Sequence, residues 1–232
     1  MNVVSIIIAR GGSKGIPNKN IIDFCGKPLI SWTIKQSQLS KEVSDVWVSS
    51  DSELILDIAK MNGAKTIIRP KEISSDKSTS ESAWLHAIKN IESIEGSPKI
   101  DYVLAPQVTS PLRDPSDFSK AIDIIKSKEA DSLLSVAILE DFFIWKKNKN
   151  KDLESVNYDY KNRQRRQNID KKYLENGSFY IFKPNLLNNN NNRLGGKKLL
   201  FEMERYKMFQ IDNIEDVKLC SVIMSGYNLD KI

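Results

Sequence analysis

Residues Val3 to Ala9 read VVSIIIA, and Arg10 to Asn20 continue RGGSKGIPNKN. The first run is short, apolar and rich in β-branched residues, the pattern of a parallel strand buried on both faces. The second is a Gly- and Lys-rich turn placed directly after it. Glycines let a backbone approach a ligand closely and turn its N–H groups inward, making a concavity for anions. Arg10, Lys14 and Lys19 surround that turn. Interleaved cations of this kind suit a triphosphate, whose charge gathers on a leaving pyrophosphate. The spacing is neither that of a Walker loop nor of the GxGxxG dinucleotide fingerprint.

Outward from this point the chain alternates. Pro28–Leu39, Glu53–Met61, Ser80–Ile94 and Pro115–Ser127 carry helical patterns. Val43–Ser49, Thr66–Ile68, Tyr102–Ala105 and Ser132–Ile138 read as strands. Such β-α alternation predicts an α/β fold with an open, mostly parallel, Rossmann-like sheet, in which ligands sit beyond the carboxyl ends of the strands. The pattern breaks from about 139 to 172, where aromatics lead into a Lys/Asn-rich stretch: either a surface loop or an arm that packs on a second subunit. Tyr173–Phe182 resumes a sheet-like pattern, Asn188–Asn192 reads as a loop, Tyr206–Ile211 alternates like a strand, and 214–225 reads as a closing helix.

The 232 residues suffice for one large domain, and we read them as one, with the 139–172 arm inserted. No apolar run approaches the roughly 20 residues of a membrane helix, and none resembles a signal peptide, so a cytoplasmic protein without membrane partner is expected. Cys25 and Cys220 read as free thiols. The net charge of +5 is local: 146–172 holds ten Lys/Arg against four acids, leaving the rest of the chain near neutral. That favours no nucleic-acid partner, since a footprint on RNA or DNA needs cations spread along a face with stacking aromatics. A non-catalytic nucleotide or RNA binder is the distant alternative. The only histidine, His86, lies within a helix with no dyad partner nearby in sequence, which points to a structural role.

Five motifs stand in fixed order: ARGGSKGIPNKN at 9–20, RPKEISSDKSTS at 69–80, QVTSPLR at 107–113, RRQ at 165–167 and ENGSFYIF at 175–182. Together they resemble the CMP-sialic acid synthetases, the cytidylyltransferases that activate nine-carbon keto-sugar acids. The resemblance implies CTP and such an acid as substrates, Mg²⁺ as cofactor and a homodimer. It implies that Arg10, Lys14 and Lys19 act on the phosphates, with Gly11, Gly12, Ser13 and Asn20 completing the nucleotide loop. Arg69 and Ser80 would meet the cytosine or ribose. Their alternatives are a strand-end ion pair and a helix N-cap. Gln107, Thr109, Ser110, Asn176 and Tyr180 would line the sugar pocket, although Pro106 and Pro111 alone account for a turn at 107–110. Arg166 would pair with the sugar carboxylate.

Relatives end in an Asp-Ile-Asp pair of metal ligands. Here the run is Gln210-Ile211-Asp212, which leaves Asp212 as the metal carboxylate, with Gln210 free to offer a carbonyl oxygen or hold a water. Asp51 is a second candidate, or a cap for the helix at Glu53. Trp145 stands where many relatives carry a basic residue, which raises legionaminic, pseudaminic or another nine-carbon acid as alternative substrate.

Overall fold

The structure, a computed structural model, describes residues 1–139, 143–165, 168 and 170–232, with the backbone alone at 190. Strand β1 (Val3–Ile8) opens the chain. After the Gly/Lys loop a small hairpin, β2 (Asp23–Phe24) and β3 (Lys27–Pro28), turns through Cys25 and Gly26 at φ 51° and 79°. Then follow α1 (Leu29–Gln38), β4 (Asp45–Ser50), α2 (Glu53–Met61), β5 (Lys65–Ile68), α3 (Ser80–Glu92), β6 (Tyr102–Pro106), α4 (Pro115–Ser127) and β7 (Ser132–Leu139). A separate hairpin, β8 (Trp145–Lys147) and β9 (Leu153–Ser155), lies within the 139–172 segment. Strand β10 (Lys172–Phe182), α5 (Asn185–Asn190), β11 (Lys198–Glu202) and α6 (Ile214–Gly226) complete the chain.

Seven strands form one sheet in the order β11-β7-β10-β6-β1-β4-β5. All pairings are parallel except those of β10, which runs antiparallel to both neighbours. The mostly parallel α/β sheet expected from the alternation is therefore present. Helices cover both faces, so β1 is apolar on both: Ile7 packs with α1 and α2 residues such as Trp32 and Ile55, whereas Val4 and Ile6 pack with Trp84 and Ile88 of α3. A third apolar group joins Phe118 and Ile122 of α4 to Phe179 and Ile181 of β10. Among the described residues, no helix is long and apolar enough to cross a membrane.

The helix starts follow their local chemistry. Asp114 and Asp117 form a reciprocal capping box before α4, with Pro115 at its first position, and Asn213 and Asp216 form another before α6. Alpha-helix α2 stops at Asn62, with Gly63 at φ 79°.

Two expectations fail, and one strand went unread. Asn188–Asn192 is not simply a loop, because α5 runs through it to a left-handed Asn191. The alternating Tyr206–Ile211 is not a strand: Arg205–Met208 is a single 3-10 turn. There the Lys207 ammonium is buried among Asp114, Asp117 and Glu204 at 2.8–3.0 Å, and Tyr206 stacks on Tyr227 with ring centroids 3.7 Å apart. Finally β11, unread in the sequence, pairs with β7 although Phe201 is its only buried side chain.

In the 139–172 segment Phe143, Trp145, Tyr158 and Tyr160 form a ring cluster with centroids 4.2–5.9 Å apart. Trp145 and Tyr160 stay largely exposed. Cys25 and Cys220 are both free thiols, and burial pushes the latter up to about 12.

Candidate active site

Strands β1, β5 and β6 end at Ile8, Ile68 and Pro106, and the segments that leave those ends meet around a cavity of about 460 Å³. From the first loop Arg10, Ser13, Lys14, Gly15, Lys19 and Asn20 face it. From the second come Arg69 and the hydroxyl-rich stretch Ser74 to Ser80. Gln107, Thr109 and Asp212 close the far side.

The first loop is held by its own bonds. Asn20, buried, donates from Nδ2 to the Arg10 carbonyl at 2.9 Å, and the Gly11 amide donates to Asp51 Oδ1 at 3.1 Å. Gly15 is required for a reason unrelated to phosphate: a Cβ there would stand 2.6 Å from the Asp212 carbonyl oxygen. The loop thus packs backbone to backbone on the segment bearing the candidate metal carboxylate. Gly12, by contrast, faces open space. Neither Gly11 nor Gly12 lines the cavity.

All three loop cations are already paired with acids. Lys19 Nζ lies 2.8 Å from Asp212 Oδ1. Arg10 Nη1 and Lys14 Nζ converge on Asp76 at 2.8 and 2.6 Å, one on each carboxylate oxygen. The Lys14 ammonium and Arg10 hold the Asp76 carboxyl below the usual range. The sequence reading did not single out Asp76 or Thr79, and it took Gly15 only as part of the phosphate loop. The available signal was an acid amid the hydroxyl run SSDKSTS, on a chain otherwise offering cations to the cavity.

Arg69 is buried. Its Nε donates to Ser74 Oγ at 2.9 Å and its Nη2 to the Ala9 carbonyl at 3.3 Å, with Asp51 3.8 Å away. Burial pulls its pKa down, Asp51 opposing. Asp51 is accordingly not the cap of α2, whose N-cap is Ser52, and does not line the cavity; it ties the Gly11 amide to Arg69. Ser80 is the first residue of α3, and the cap is Thr79, whose Oγ1 accepts from the Ser82 amide. His86 on α3 bonds Asn90, and burial together with Arg69 lowers its pKa.

Gln107 and Thr109 reach the cavity, but three residues expected beside them are committed elsewhere. Ser110 is buried with its hydroxyl toward the Gly177 carbonyl at 3.3 Å. Asn176 is buried, accepting from Ser135 Oγ at 2.7 Å and the Ser178 amide at 3.1 Å while its Nδ2 meets Met203 Sδ. Tyr180 donates to Glu175 Oε1, and Arg193 lies over its ring at 4.2 Å. Asn176 and Tyr180 lie at a bulge in β10 around Gly177, at φ 63°, where the pairing with β7 shifts register. Gln210 is likewise engaged, donating from Nε2 to the Asn176 carbonyl at 2.8 Å, a bond no aspartate can make. Arg166 lies outside the described residues.

Behind Gln107 stands Arg113, fully buried. It donates to Gln36 Oε1, Thr33 Oγ1 and the carbonyls of Ser178 and Gln107 at 2.6–3.0 Å, and burial lowers its pKa to about 9. Its fork joins α1, β10 and the Gln107 turn, a role legible only from the fold.

The cavity therefore offers clustered cations beyond a parallel strand, hydroxyls, an amide and two exposed carboxylates, Asp76 and Asp212. Comparison with known proteins agrees with that inventory. A family model described as Cytidylyltransferase matches residues 4–227. An N-acylneuraminate cytidylyltransferase of Oncorhynchus mykiss is 38% identical over 184 residues, covering 78% of this chain and 41% of the relative. A pseudaminic acid cytidylyltransferase of Campylobacter jejuni is 30% identical over 241 residues and 96% of each chain. Among solved structures, a CMP:2-keto-3-deoxy-manno-octonic acid synthetase complexed with CTP superposes with TM-score 0.73 at 15% identity, covering 98% of this chain and 100% of that one. The chain spans less than half the length of the N-acylneuraminate cytidylyltransferases of O. mykiss and Danio rerio that it matches. From strand order, cavity and sequence together, the chain belongs to the cytidylyltransferase family.

Proposed function

We propose that this protein transfers CMP from CTP to the anomeric hydroxyl of an N-acylneuraminic (sialic) acid. The hydroxyl oxygen bonds to the α-phosphorus, the bond from that phosphorus to the bridging oxygen breaks, pyrophosphate leaves and the hydroxyl proton passes to water. The observation that carries this reading is the convergence of Arg10, Lys14 and Lys19 on one cavity beyond β1. Their fixed charge is placed where negative charge grows on the departing pyrophosphate. Arg69, Thr79 and Ser80 supply donors and acceptors of the kind that select a pyrimidine edge or ribose. Gln107 and Thr109 offer neutral groups for sugar hydroxyls. Catalysis rests on positioning and charge neutralisation, with no histidine or nucleophile of the protein in the reaction.

A divalent magnesium belongs in this proposal. Among the described residues no three His, Cys, Asp or Glu side chains gather as a metal site. Magnesium, however, commonly takes one or two carboxylates plus substrate phosphates, and the exposed Asp212 carboxylate fits that single-ligand role. When bound, the ion supplies further neutralisation of the phosphate oxygens. Lys19, 2.8 Å from Asp212, then shares that carboxylate's field. The proposal keeps a homodimer, in which the exposed aromatics of 143–160 meet a second copy.

A second reading, the same reaction on pseudaminic, legionaminic or another nine-carbon 3-deoxy-2-ulosonic acid, is favoured by the end-to-end match to the C. jejuni relative and by Trp145. Incubation of CTP, Mg²⁺ and each acid, with pyrophosphate release and product mass as readouts, separates the two. Absence of pyrophosphate with every acid from folded protein refutes both. Lys19→Ala and Arg10→Ala are expected to lower turnover about 10²- to 10³-fold each, the size typical of removing one transition-state charge contact, with circular dichroism unchanged.

A further inference from the structure

The cations assigned to the triphosphate are not idle in the ligand-free protein. Asp76 gives one carboxylate oxygen to Arg10 and the other to Lys14, at 2.8 and 2.6 Å, as a phosphate group would. It sits at the tip of a short turn secured independently of those cations. Ser75 donates its amide to Ser78 Oγ at 3.0 Å, Ser78 Oγ donates to the Glu72 carbonyl, and Ser74 Oγ donates to the Pro70 carbonyl at 2.8 Å. The turn therefore presents Asp76 across the cavity as a braced arm. The carboxylate also stays accessible: Arg10, Lys14 and Asp76 side chains are 37%, 78% and 46% exposed. Exposed pairs of this kind are individually weak and exchange readily.

Resting on the triphosphate reading above, we infer that Asp76 is an internal anion occupying the phosphate cradle, which incoming phosphates must displace, so that it sets the cradle's affinity. It acts as a negative determinant of affinity, held in the cleft by the same attraction that holds the ligand. Two consequences follow. Removing its charge strengthens phosphate binding instead of weakening it. It also steepens the salt dependence, because the wild type exchanges one set of ion pairs for another whereas the variant only gains them.

The test uses the full chain, inorganic tripolyphosphate as probe, and titration calorimetry in EDTA, so that no metal bridges Asp76 to the ligand. Asp76→Asn and Asp76→Ser, which share only the loss of charge, are each expected to lower Kd about three- to tenfold, with a steeper slope of log Kd against log salt. Unchanged or weaker binding in both variants overturns the inference. Lys14→Ala in the wild-type background separates the two levels of the argument. If Lys14→Ala weakens tripolyphosphate binding while the Asp76 variants do not tighten it, the cradle stands and the displaced anion falls. If neither wild type nor the Asp76 variants bind tripolyphosphate, or Lys14→Ala leaves binding intact, both readings fall together.

Discussion

Replacing Lys207 with methionine probes the joint between the 3-10 turn at 205–208 and the start of α4. The ammonium is 2% exposed and faces Asp117 at 2.9 Å, Asp114 at 3.0 Å and Glu204 at 2.8 Å. Methionine fills the same volume, so the change is in charge and hydrogen bonding. Asp114 and Glu204, 41% and 58% exposed, can turn to water. Asp117, at 5% exposure, cannot. Its carboxyl is already raised by burial against the pull of Lys207, and loss of the cation raises it further. An uncompensated buried charge costs about 3–5 kcal/mol, the loss expected in urea unfolding at pH 7. The sign with pH is fixed by linkage: a carboxyl whose folded pKa exceeds its unfolded value binds more protons when folded, so acidification returns stability. The gap between wild type and Lys207→Met should therefore narrow at pH 5, and Asp117→Asn added to the variant should recover much of the loss at pH 7. A loss under about 1 kcal/mol, or a gap equal at both pH values, refutes the reasoning.

Two further outcomes follow from geometry. Gly15→Ala forces a methyl to 2.6 Å from the Asp212 carbonyl, so the loop must shift; overpacking of this kind costs about 1–3 kcal/mol. Tripolyphosphate binding should weaken about tenfold, whereas Gly12→Ala, facing open space, leaves it unchanged, and equal calorimetric affinities for both variants would dismiss the contact. Asp131 accepts from Lys183 Nζ and the Lys197 amide at 2.8 Å, and the lysine above all holds its carboxyl below the ordinary value of 3.8. Its contribution is therefore complete above that value and lost as pH falls through the lower folded pKa; the stability gap between wild type and Asp131→Asn in urea should hold from neutral pH down to about pH 4 and shrink only below it, and a gap that already closes above about pH 5 would contradict the assignment.

Strand type was legible where burial wrote it. The run Val3–Ile8 is apolar on both faces because helices cover both, and the loop behind it sits where the switch-point rule places a ligand. Strand direction was not legible: Tyr173–Phe182 has the composition of its neighbours, and nothing in it records that it runs the opposite way. Nor was the facing of Asn176 and Tyr180, since the bulge at Gly177 changes which side chains point toward the cleft. Edge strand β11 escaped notice because a strand with one buried side chain carries almost no periodic signal. Gly15 was read as part of a phosphate loop; its demand for a missing Cβ comes from Asp212, 197 residues later, a contact only the folded chain creates.

The electrostatics of the cleft also explain why global charge was a poor guide. The chain's excess of cations lies in 146–172 of the sequence, outside the loop after β1, yet that loop concentrates Arg10, Lys14 and Lys19, with Arg69 also lining the cavity. Four cations around one cavity repel one another, and a surface loop has little apolar burial to resist that repulsion; Ile16 is the one buried apolar side chain it contributes. Asp212 on Lys19 and Asp76 on Arg10 and Lys14 offset the repulsion. The same acids compete with any phosphate, so order in the empty loop and affinity for the ligand pull in opposite directions. Asp212 escapes the conflict if a divalent cation turns its charge to the ligand's advantage. Asp76, bound to cations alone, does not, which is why neutralising Asp76 should tighten phosphate binding in EDTA while loosening the unliganded loop.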